Sequence, residues 1–548
     1  RLDSGARRVL RAASIFGSHF WRDGVAELLL SDPVTADVEH WLHTLTEMEL
    51  ITPHTHSRLR GGGEFSFRHG LVRDAAYGLL TDDRRRVYHR VAAEFLLRAG
   101  EKDPLVLAEH HERGDRPMAA AAFLLQAAER AHLAGEPAIA VAYAERGLQC
   151  QPDPQTDLGI LSLLCQSFLW RNQLATSAKY ADEVLKRAAP GSVPWVLAAS
   201  AKLVHTSVGG RDEFLATMDE VARVEPVGAG AGAQAFALAI GIYVLDSYGD
   251  FARGEHYLKQ LHARVDPIAH QDPVALAWLQ RAHTHREAWV CDRPERGLRY
   301  ARAARDNFVA AGHTRGALVA TAFVGIHAWY LGDLDLADSE LRKTLSVGDD
   351  LGLVSSLRTL VQVQVLTDMA RPLALGEAKQ IALAFIADSQ TKSALARARS
   401  HWALADVLLQ TGWPQEALDE ADKALPLLSD APLDAAGLQT VRADAMLQLR
   451  RLSQAHELVD ATMAQMAQVG VLATSCLGLR LRVVHVEVLL AQGDVSGAES
   501  ALAAIDAGVT AQAAQIEDEE LRETFLHRHP LQLRWRAQQD LLRLRADA

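Results

Sequence analysis

Apolar residues recur every three or four positions along most of the chain, and short glycine-containing turns interrupt this pattern at regular intervals. In the clearest turns a glycine is followed five residues later by a small residue, as in AGEPAIA, YGDFARG, LGDLDLA, TGWPQEA and QGDVSGA. We call these small residues the anchor residues, and they run from Ala140 to Ala498. Nine intervals fill the 358 residues between them, so one repeating unit has about 40 residues.

A unit of this length holds two helices joined by a tight turn. The anchor residue follows the turn, where a small side chain lets the two helices approach closely. Because no unit buries its apolar faces alone, successive units must stack into a superhelix. The pattern therefore predicts an all-α fold of stacked helical hairpins over residues 104–510 and a C-terminal helical cap over 511–548, with no strand pattern after about residue 70.

The glycine, the acidic residue that usually follows it and the anchor residue resemble a tetratricopeptide repeat. The match is good at Gly135, Gly249, Gly332, Gly412 and Gly493, and poor near Arg211, Asp292 and Arg450. The units are longer than the roughly 34 residues of that repeat. They are more similar to the sensor superhelices attached to bacterial signal-transduction ATPases of the STAND family. This resemblance covers roughly residues 115–510 and implies a right-handed superhelix.

The first 98 residues differ in character and predict a separate small domain. Their pattern indicates two helices, a glycine-tipped hairpin and a further helix, which is the order of a winged helix. Basic and acidic residues nearly balance here, whereas a DNA-binding domain more often carries a basic face. We therefore predict a winged-helix domain over residues 1–98 that does not bind nucleic acid.

The segment RHGLVRDAAY, which follows the predicted hairpin, resembles the end of the winged helix in STAND proteins. His69 falls on a histidine that touches the nucleotide phosphate in that family, so the resemblance implies that His69 contacts ATP or ADP held by an upstream module. Gly70 stands where the family commonly has an aspartate. On the residues alone, without the family resemblance, the favoured interpretation of His69 is a packing residue at a strand–helix junction.

Composition and charge limit the partners and the compartment. The chain has 57 Lys plus Arg against 69 Asp plus Glu and a net charge of −12, which disfavours nucleic acid and anionic membranes. The longest apolar run, residues 235–245, is about half of a membrane span. Four scattered cysteines favour a reducing cytoplasm. Because the chain begins with Arg1 inside a helical pattern, we expect it to be part of a longer protein.

The sequence lacks the usual patterns of catalysis and metal binding. The dipeptide Gly-Lys of a phosphate-binding loop and the Gly-x-Ser-x-Gly motif are both missing. Histidines that lie close in sequence have neither helical spacing nor companion ligands; these are His54 and His56, His110 and His111, His283 and His285, and His527 and His529. We therefore predict no catalytic residue, metal site or cofactor in this chain, and any ATP-dependent or effector activity would lie upstream.

Aligning the anchor residues with a tetratricopeptide hairpin indicates a candidate binding face. Positions eight and eleven residues before each anchor fall on the first helix of a unit, on the face that lines the concave groove in that family. They hold Trp170, His205, Tyr243, Arg286, Trp289, Trp329, Asp406, Asp444 and Glu487. Such a groove is aromatic in its first half and acidic in its last third, which suits a basic peptide or protein. Alternatively, the tryptophans are inter-helix core and the carboxylates form a solvated face.

These observations predict the regulatory C-terminal region of a STAND-type bacterial signalling protein. The superhelix would bind a protein, peptide or small ligand, and the winged helix would couple that event to an upstream nucleotide-binding module. The alternative is a tetratricopeptide-like scaffold that joins proteins without a nucleotide-dependent switch.

Overall fold

The computed structural model describes residues 2–30, 37–60, 62–171, 173–207, 210–345, 354–390, 392–471 and 476–546. Within these ranges the chain forms 28 α-helices and three short β-strands, which confirms the predicted helical solenoid. The chain divides into two compact units. Unit 1 comprises Arg1–His132 and Glu136–Ser167, and unit 2 comprises Leu133–Gly135 and Phe168–Ala548.

Unit 1 begins with helices packed on a small sheet. Its elements are α1 (Ser4–Ala13), β1 (His19–Trp21), α2 (Arg22–Leu30), α3 (Val38–Glu47), β2 (Ile51–Pro53), β3 (Glu64–Phe67), α4 (Gly70–Gly78), α5 (Asp82–Ala99), α6 (Pro104–Arg113), α7 (Pro117–Leu133), α8 (Pro137–Gln149) and the start of α9 (Pro154–Trp170). The strands have the order β1-β3-β2 and pair antiparallel, with Phe20 opposite Phe65 and Thr52 opposite Ser66. The sequence pattern indicated the β2–β3 hairpin but neither β1 nor α2.

Phe20 joins the sheet of unit 1 to its helices. Its side chain is fully buried and stacks on Phe65, with ring centroids 5.7 Å apart. Val9 of α1 and Leu28 of α2 belong to the same apolar core. Phe20, the central residue of β1, therefore fixes which face of the strand packs against these helices.

The segment after β3 forms two helices instead of the one predicted. Helix α4 ends at Gly78, and Leu80 is buried in the turn that follows. Thr81 has an extended backbone and precedes Asp82 and Asp83 in the first turn of α5. Acidic residues at this position favour a new helix start, which explains why the apolar pattern does not continue as one helix.

Unit 2 is an array of helices joined by short turns. Its helices are α10 (Leu174–Arg187), α11 (Val193–Thr206), α12 (Arg211–Arg223), α13 (Gly230–Ser247), α14 (Phe251–Val265), α15 (Pro273–Trp289), α16 (Pro294–Ala310), α17 (Thr314–Tyr330), α18 (Leu334–Leu345), α19 (Val354–Asp368), α20 (Pro372–Ser389), α21 (Ala394–Gln410), α22 (Pro414–Ala424), α23 (Pro432–Gln448), α24 (Leu452–Gln468), α25 (Cys476–Gln492), α26 (Val495–Ala513), α27 (Glu519–His527) and α28 (Pro530–Ala546). We call the odd-numbered helices α9–α25 the A-helices and the even-numbered helices α10–α26 the B-helices. An A-helix and the B-helix after it form one hairpin.

The turns between A- and B-helices, and the similar α7–α8 turn at Gly135, have the backbone that the sequence predicted. Left-handed φ values of 73° to 84° occur at the turn glycines Gly135, Gly249, Gly332, Gly412 and Gly493. Two units that match the repeat poorly adopt the same conformation without glycine, at Asp292 (φ 57°) and Arg450 (φ 60°). The turn geometry is therefore retained where the sequence motif is lost.

The anchor residues are small because another helix lies directly against them. Ala337, Ala417 and Ala498 are fully buried. At Gly297 an added Cβ would lie 2.4 Å from the His327 ring and 2.7 Å from the carbonyl oxygen of Thr284. These distances leave no room for a larger side chain.

A-helices and B-helices differ in how they are buried. In α17, residues 319–328 are buried without interruption, whereas the buried residues of α16 follow helical spacing, as at Gly297, Ala301, Ala304 and Phe308. An A-helix thus packs on several sides, while a B-helix presents one face to solvent. Helix α13 is long and apolar enough to cross a membrane, but 78% of it is buried inside the protein, as in the core helix of a soluble protein.

The repeats of unit 2 meet each other again far along the chain. The Gln512 side chain donates to Asp292, 220 residues away. The backbone N–H of Glu517 donates to Glu295 at 2.7 Å, and Arg299 pairs with Glu517 at 2.8 Å. The superhelix therefore closes on itself after somewhat more than five units of about 40 residues.

The C-terminal segment extends further over the repeats than a cap of the last hairpin. Helix α27 begins as predicted, because the Asp518 side chain caps the backbone N–H of Leu521. The backbone of Gly332, at the α17–α18 turn, lies so close to His529 that an added Cβ would be 2.8 Å from the His529 Cα. Helix α28 then packs on α25 and α26.

We expect Gly297→Ala to destabilise the protein by about 1–3 kcal/mol, because the new methyl group overlaps the His327 ring and a backbone carbonyl. The matched control is Gly376→Ala in α20, where an added Cβ meets nothing within 4 Å. That change should stabilise the protein by about 0.5–1 kcal/mol through helix propensity. Chemical denaturation of both variants tests this expectation, and equal effects would contradict it.

Candidate binding face of the helical repeats

All nine candidate residues lie on A-helices, but they do not line an open groove. Six of them are buried: Trp170, Tyr243, Arg286, Trp289, Asp406 and Asp444. The other three are half-buried: His205, Trp329 and Glu487. The expectation of a solvent-filled groove therefore needs correction, because closure of the superhelix brings other side chains of the chain against this face.

The aromatic candidates pack on one another and on their neighbours. The Tyr243 ring lies 5.9 Å from the Trp289 ring and 6.3 Å from the Phe323 ring. The Trp289 Nε1–H donates to the Tyr330 hydroxyl at 3.0 Å. The guanidinium of Arg315 lies 4.9 Å from the centroid of the Trp170 ring. This part of the face is inter-helix core with buried polar ends, as the alternative interpretation held.

Trp329 and a carboxylate on the next A-helix form a half-buried polar contact. The Trp329 Nε1–H donates to Asp368 at 2.7 Å. Burial raises the pKa of Asp368 to about 6, although this hydrogen bond and Arg480 act in the opposite direction. The carboxyl group therefore depends on its donors to remain ionised near neutral pH.

Buried charges connect α13 and α15. The Asp246 carboxylate accepts from Arg286 at 2.5 Å and from the His285 Nε2–H at 2.9 Å. Arg281 donates to the other ring nitrogen of His285 at 3.0 Å and stacks over the Phe323 ring at 3.7 Å. Burial holds the pKa of His285 well below its ordinary value, so the neutral ring accepts from Arg281 while it donates to Asp246.

The three acidic candidates are already paired with arginines of this chain. Asp406 accepts from Arg480 of α25 at 2.5 Å. Asp444 accepts from Arg534 of α28 at 2.9 Å, and Glu487 accepts from the same guanidinium at 2.8 Å and 2.5 Å. One arginine outside the repeats thus bridges carboxylates on two successive A-helices. This part of the face holds a basic side chain, and the side chain belongs to the C-terminal helix.

Burial explains why these arginines are needed. Burial alone would raise the pKa of Asp444, but Arg534 and then Arg480 hold that pKa below its ordinary value. A buried carboxylate without such partners would be strongly unfavourable. The position of α28 is therefore tied to the charges on α23 and α25.

A cavity of about 510 Å³ lies between the C-terminal segment and the turns of the repeats. One wall comes from α27 and α28 through Leu521, Thr524 and Leu533, and the opposite wall includes Asp333 and Arg371. The C-terminal segment is therefore not tightly packed along its whole length.

His69 of unit 1 is exposed and forms the N-terminal boundary of α4. Its backbone is extended (φ −133°, ψ 128°), and its side chain makes no capping hydrogen bond. The His69 side chain is therefore not part of the apolar core at this strand–helix junction. The imidazole lies where it can contact another molecule or domain.

Sequence analysis missed the basic half of the binding face. It located Asp444 and Glu487 from the repeat register, but Arg480 and Arg534 lie outside the two positions considered in each unit. The available signal was the row of carboxylates at Asp406, Asp444 and Glu487 on one face of the A-helices. Carboxylates that are buried together need cations nearby. Which arginines supply them depends on the closure of the superhelix.

No family model matches the sequence, and no curated protein matches it. Among solved structures, the chain is similar to a Rap protein complexed with Competence and Sporulation Factor, with 10% identity, a TM-score of 0.42 and coverage of 72% of this chain and 99% of that one. It is also similar to a STAND protein with a tetratricopeptide repeat sensor from Pyrococcus horikoshii, with 12% identity, a TM-score of 0.33 and coverage of 96% and 66%. A third is the APC/C hetero-tetramer Cut9-Hcn1, with 12% identity, a TM-score of 0.34 and coverage of 83% and 98%. These likenesses concern the helical-repeat fold alone.

We expect Arg534→Ala to destabilise the protein at neutral pH, because Asp444 and Glu487 lose their shared cation. The loss should be roughly 3 kcal/mol, the lower end for a broken buried pair, since Arg534 retains some exposure. The pKa of Asp444 is depressed in the folded protein, so its stabilising contribution is present above the ordinary aspartate pKa and is lost as the pH falls. The difference between wild type and Arg534→Ala should therefore shrink in acid.

Denaturant unfolding between neutral and acidic pH measures this difference. Arg543→Ala is the matched control on the same helix, because the Arg543 side chain is 75% exposed and pairs only with exposed Asp540. It should resemble wild type at every pH. A destabilisation by Arg534→Ala that is independent of pH would contradict the proposed charge pairing.

Proposed function

We propose that unit 2 is a ligand-binding solenoid that receives a basic helical segment of a protein partner on its A-helices, in competition with α28. We further propose that unit 1 couples this binding to a nucleotide-binding module in a STAND-type bacterial signalling protein. The observation that carries the first part is the position of Arg534 on Asp444 and Glu487. A segment from outside the repeats already occupies the acidic face.

The chemistry of the occupied face defines the partner. The Arg534 guanidinium donates three hydrogen bonds to Asp444 and Glu487, which lie on successive A-helices. The donor–acceptor distances are 2.9 Å, 2.8 Å and 2.5 Å. Such bonds between ionised groups are shorter and stronger than neutral ones, and the planar guanidinium suits this geometry better than a lysine. A partner helix that presents an arginine can replace Arg534 without leaving a carboxylate unpaired.

The C-terminal segment has the properties of a displaceable occupant. It borders the 510 Å³ cavity on one side. On α28, the apolar side chains of Leu533 and Leu541 are 53% and 49% exposed. A segment with partial burial is released at lower free-energy cost than a core helix.

Displacement connects binding to a change of state. A ligand shifts the population between docked and released α28 only if it prefers the released state. A basic helix that occupies the position of Arg534 binds only when α28 is released, because the helix and α28 cannot occupy the same face together. The solenoid would therefore report the ligand through the position of its own C-terminus.

Unit 1 supports the second part of the proposal. Its helices α1, α2 and α3 precede the β2–β3 hairpin, and its three strands pair antiparallel, which supports a winged-helix domain. His69 lies just after β3 and is exposed. This is the position at which the family resemblance places a nucleotide contact.

A labelled peptide with the sequence of residues 530–546 tests the binding face directly. We expect it to bind the Arg534→Ala chain about tenfold or more tightly than wild type, because the weakened internal helix competes less. Fluorescence anisotropy measures both affinities, and Arg543→Ala serves as the control that should match wild type. A peptide lacking its own Arg534 should bind weakly to every variant. Equal peptide affinity for wild type and Arg534→Ala would refute competition with α28.

Retention of ADP tests the coupling. In a protein that joins this chain to its nucleotide-binding module, His69→Ala should accelerate ADP release, measured with a fluorescent ADP analogue. His43→Ala provides a control, since His43 is an exposed histidine of the same unit whose side chain is 76% accessible. If His69→Ala and His43→Ala release ADP at the same rate as wild type, the switch fails and a scaffold without nucleotide control is favoured.

A further inference from the structure

Three potential ligand side chains meet at the surface of unit 2, away from the acidic face. His456 and Asp460 lie one turn apart on α24, and His485 comes from the neighbouring helix α25. Their donor atoms all lie within 4.8 Å of one another. The His456 Nε2 is 3.4 Å from one Asp460 oxygen, and the His485 Nε2 is 3.8 Å from the other.

Hydrogen bonding fixes the form of His456. Its Nδ1–H donates to the Gln492 side-chain oxygen at 2.6 Å. The Gln492 amide is itself held, because its nitrogen donates to the carbonyl oxygen of Leu452 at 3.3 Å. A neutral His456 therefore carries its lone pair on Nε2, the atom that faces Asp460. A lone pair that faces a carboxylate favours a cation or a proton between them.

His485 is suited to the same role. Its Nε2 faces Asp460 across 3.8 Å, from the helix that follows the one carrying His456 and Asp460. Its side chain is only 18% exposed, so α25 holds the ring in place.

We propose that His456, Asp460 and His485 bind one divalent transition-metal ion of the Zn²⁺ type. Zinc bonds to imidazole nitrogen and carboxylate oxygen of about 2.0–2.2 Å in tetrahedral geometry separate the ligand atoms by roughly 3.3 Å. The 3.4 Å and 3.8 Å distances run to different Asp460 oxygens, and one donor atom from each residue lies within 4.8 Å of the others, so binding needs these surface side chains to move inward by about 1 Å. Three protein ligands leave the fourth coordination position open to water or to a partner's side chain.

Gln492 strengthens this assignment. Histidines that bind metals usually donate their other ring N–H to an oxygen, which sets the ring orientation and raises the basicity of the ligating nitrogen. The Gln492 oxygen supplies this interaction for His456 before any ion is bound. The site is thus oriented on α24 and completed by α25, so an ion would clamp two successive repeats together.

A second cluster of two histidines and one aspartate has no room for an ion between its side chains. His262 on α14 and Asp266 just after the end of that helix have the same spacing in the sequence, and His283 comes from α15. There the two Nε2 atoms are hydrogen-bonded directly at 2.8 Å, and Asp266 binds the His262 Nδ1 instead. The two facing nitrogens bind each other and are not available to an ion. This cluster is therefore an internal control for the metal-binding experiments.

Sequence analysis predicted no metal site because it compared histidines close in the sequence. His456 and His485 are 29 positions apart, and only the helix hairpin brings them together. The His-x-x-x-Asp spacing of residues 456–460 was the local signal, and it occurs equally in residues 262–266.

Titration of the metal-free full chain with Co²⁺ tests the proposal. We expect one equivalent to produce visible absorption bands of a tetrahedral ion, and Zn²⁺ to displace it. His456→Ala and His485→Ala should each remove these bands. Gln492→Ala should keep the bands and weaken affinity by roughly 10–100-fold. His262→Ala and His283→Ala should bind Co²⁺ as wild type does.

Thermal unfolding provides a second measurement that does not depend on colour. Zn²⁺ should raise the melting temperature of wild type and of His283→Ala, but not that of His456→Ala or His485→Ala, since only a ligand of the folded state stabilises it. Circular dichroism confirms that the surface variants remain folded. Bands that persist in His456→Ala and His485→Ala, or a wild type that binds no Co²⁺ at micromolar concentration, would overturn the proposal.

Discussion

Neutralisation of buried carboxylates is the constraint on which the arrangement of unit 2 depends. Asp246, Asp406 and Asp444 lie on buried A-helices, and each pairs with an arginine from another hairpin or from α28; even beside Arg286, burial raises the pKa of Asp246 to about 8. Breaking a buried ion pair costs several kcal/mol because the remaining charge is stranded. The cations come from elsewhere in the array: Arg286 from the next A-helix, Arg480 from two A-helices further on, and Arg534 from the C-terminal helix. The charges thus help to fix which helices meet.

Closure of the superhelix makes these pairings possible. An open solenoid connects each repeat only to its neighbours. Here the contacts of Asp292 with Gln512 and of Glu295 with the backbone of Glu517 join repeats more than 200 residues apart. Because both sides of an A-helix are then covered, its sequence is apolar nearly all round, and its polar residues must find partners inside the protein. Closure therefore buries the A-helices, and this burial makes charge pairing necessary.

The local features of the repeats could be predicted from the sequence. Gly249 marks a turn in the sequence because its left-handed backbone favours glycine. Gly297 marks a close approach of helices because the His327 ring leaves no room for a larger side chain. The repeat register also placed Asp444 and Glu487 on A-helices. These features depend on neighbours within one or two units, which the periodicity encodes directly.

Features that depend on distant contacts could not be predicted in this way. Arg534 meets Asp444 across 90 residues, and His485 meets Asp460 only through the packing of two helices. The two helices after β3 were missed for a local reason, since the apolar spacing runs on while Asp82 and Asp83 start a new helix. Periodicity identifies elements and faces, but it does not identify the partner of each polar side chain.

In the proposed function, selectivity for a basic ligand follows from the penalty of leaving the acidic face empty. A neutral helix that displaced α28 would remove Arg534 from Asp444 and return nothing to a carboxylate that is almost fully buried. A helix with one arginine would restore the pairing and lose little, so the two ligands would differ by much of the free energy of a buried ion pair. The docked α28 would then act as a filter as well as an occupant. It would exclude any segment that does not carry its own cation to the same place, and this exclusion would need no contact beyond those already seen between α23, α25 and α28.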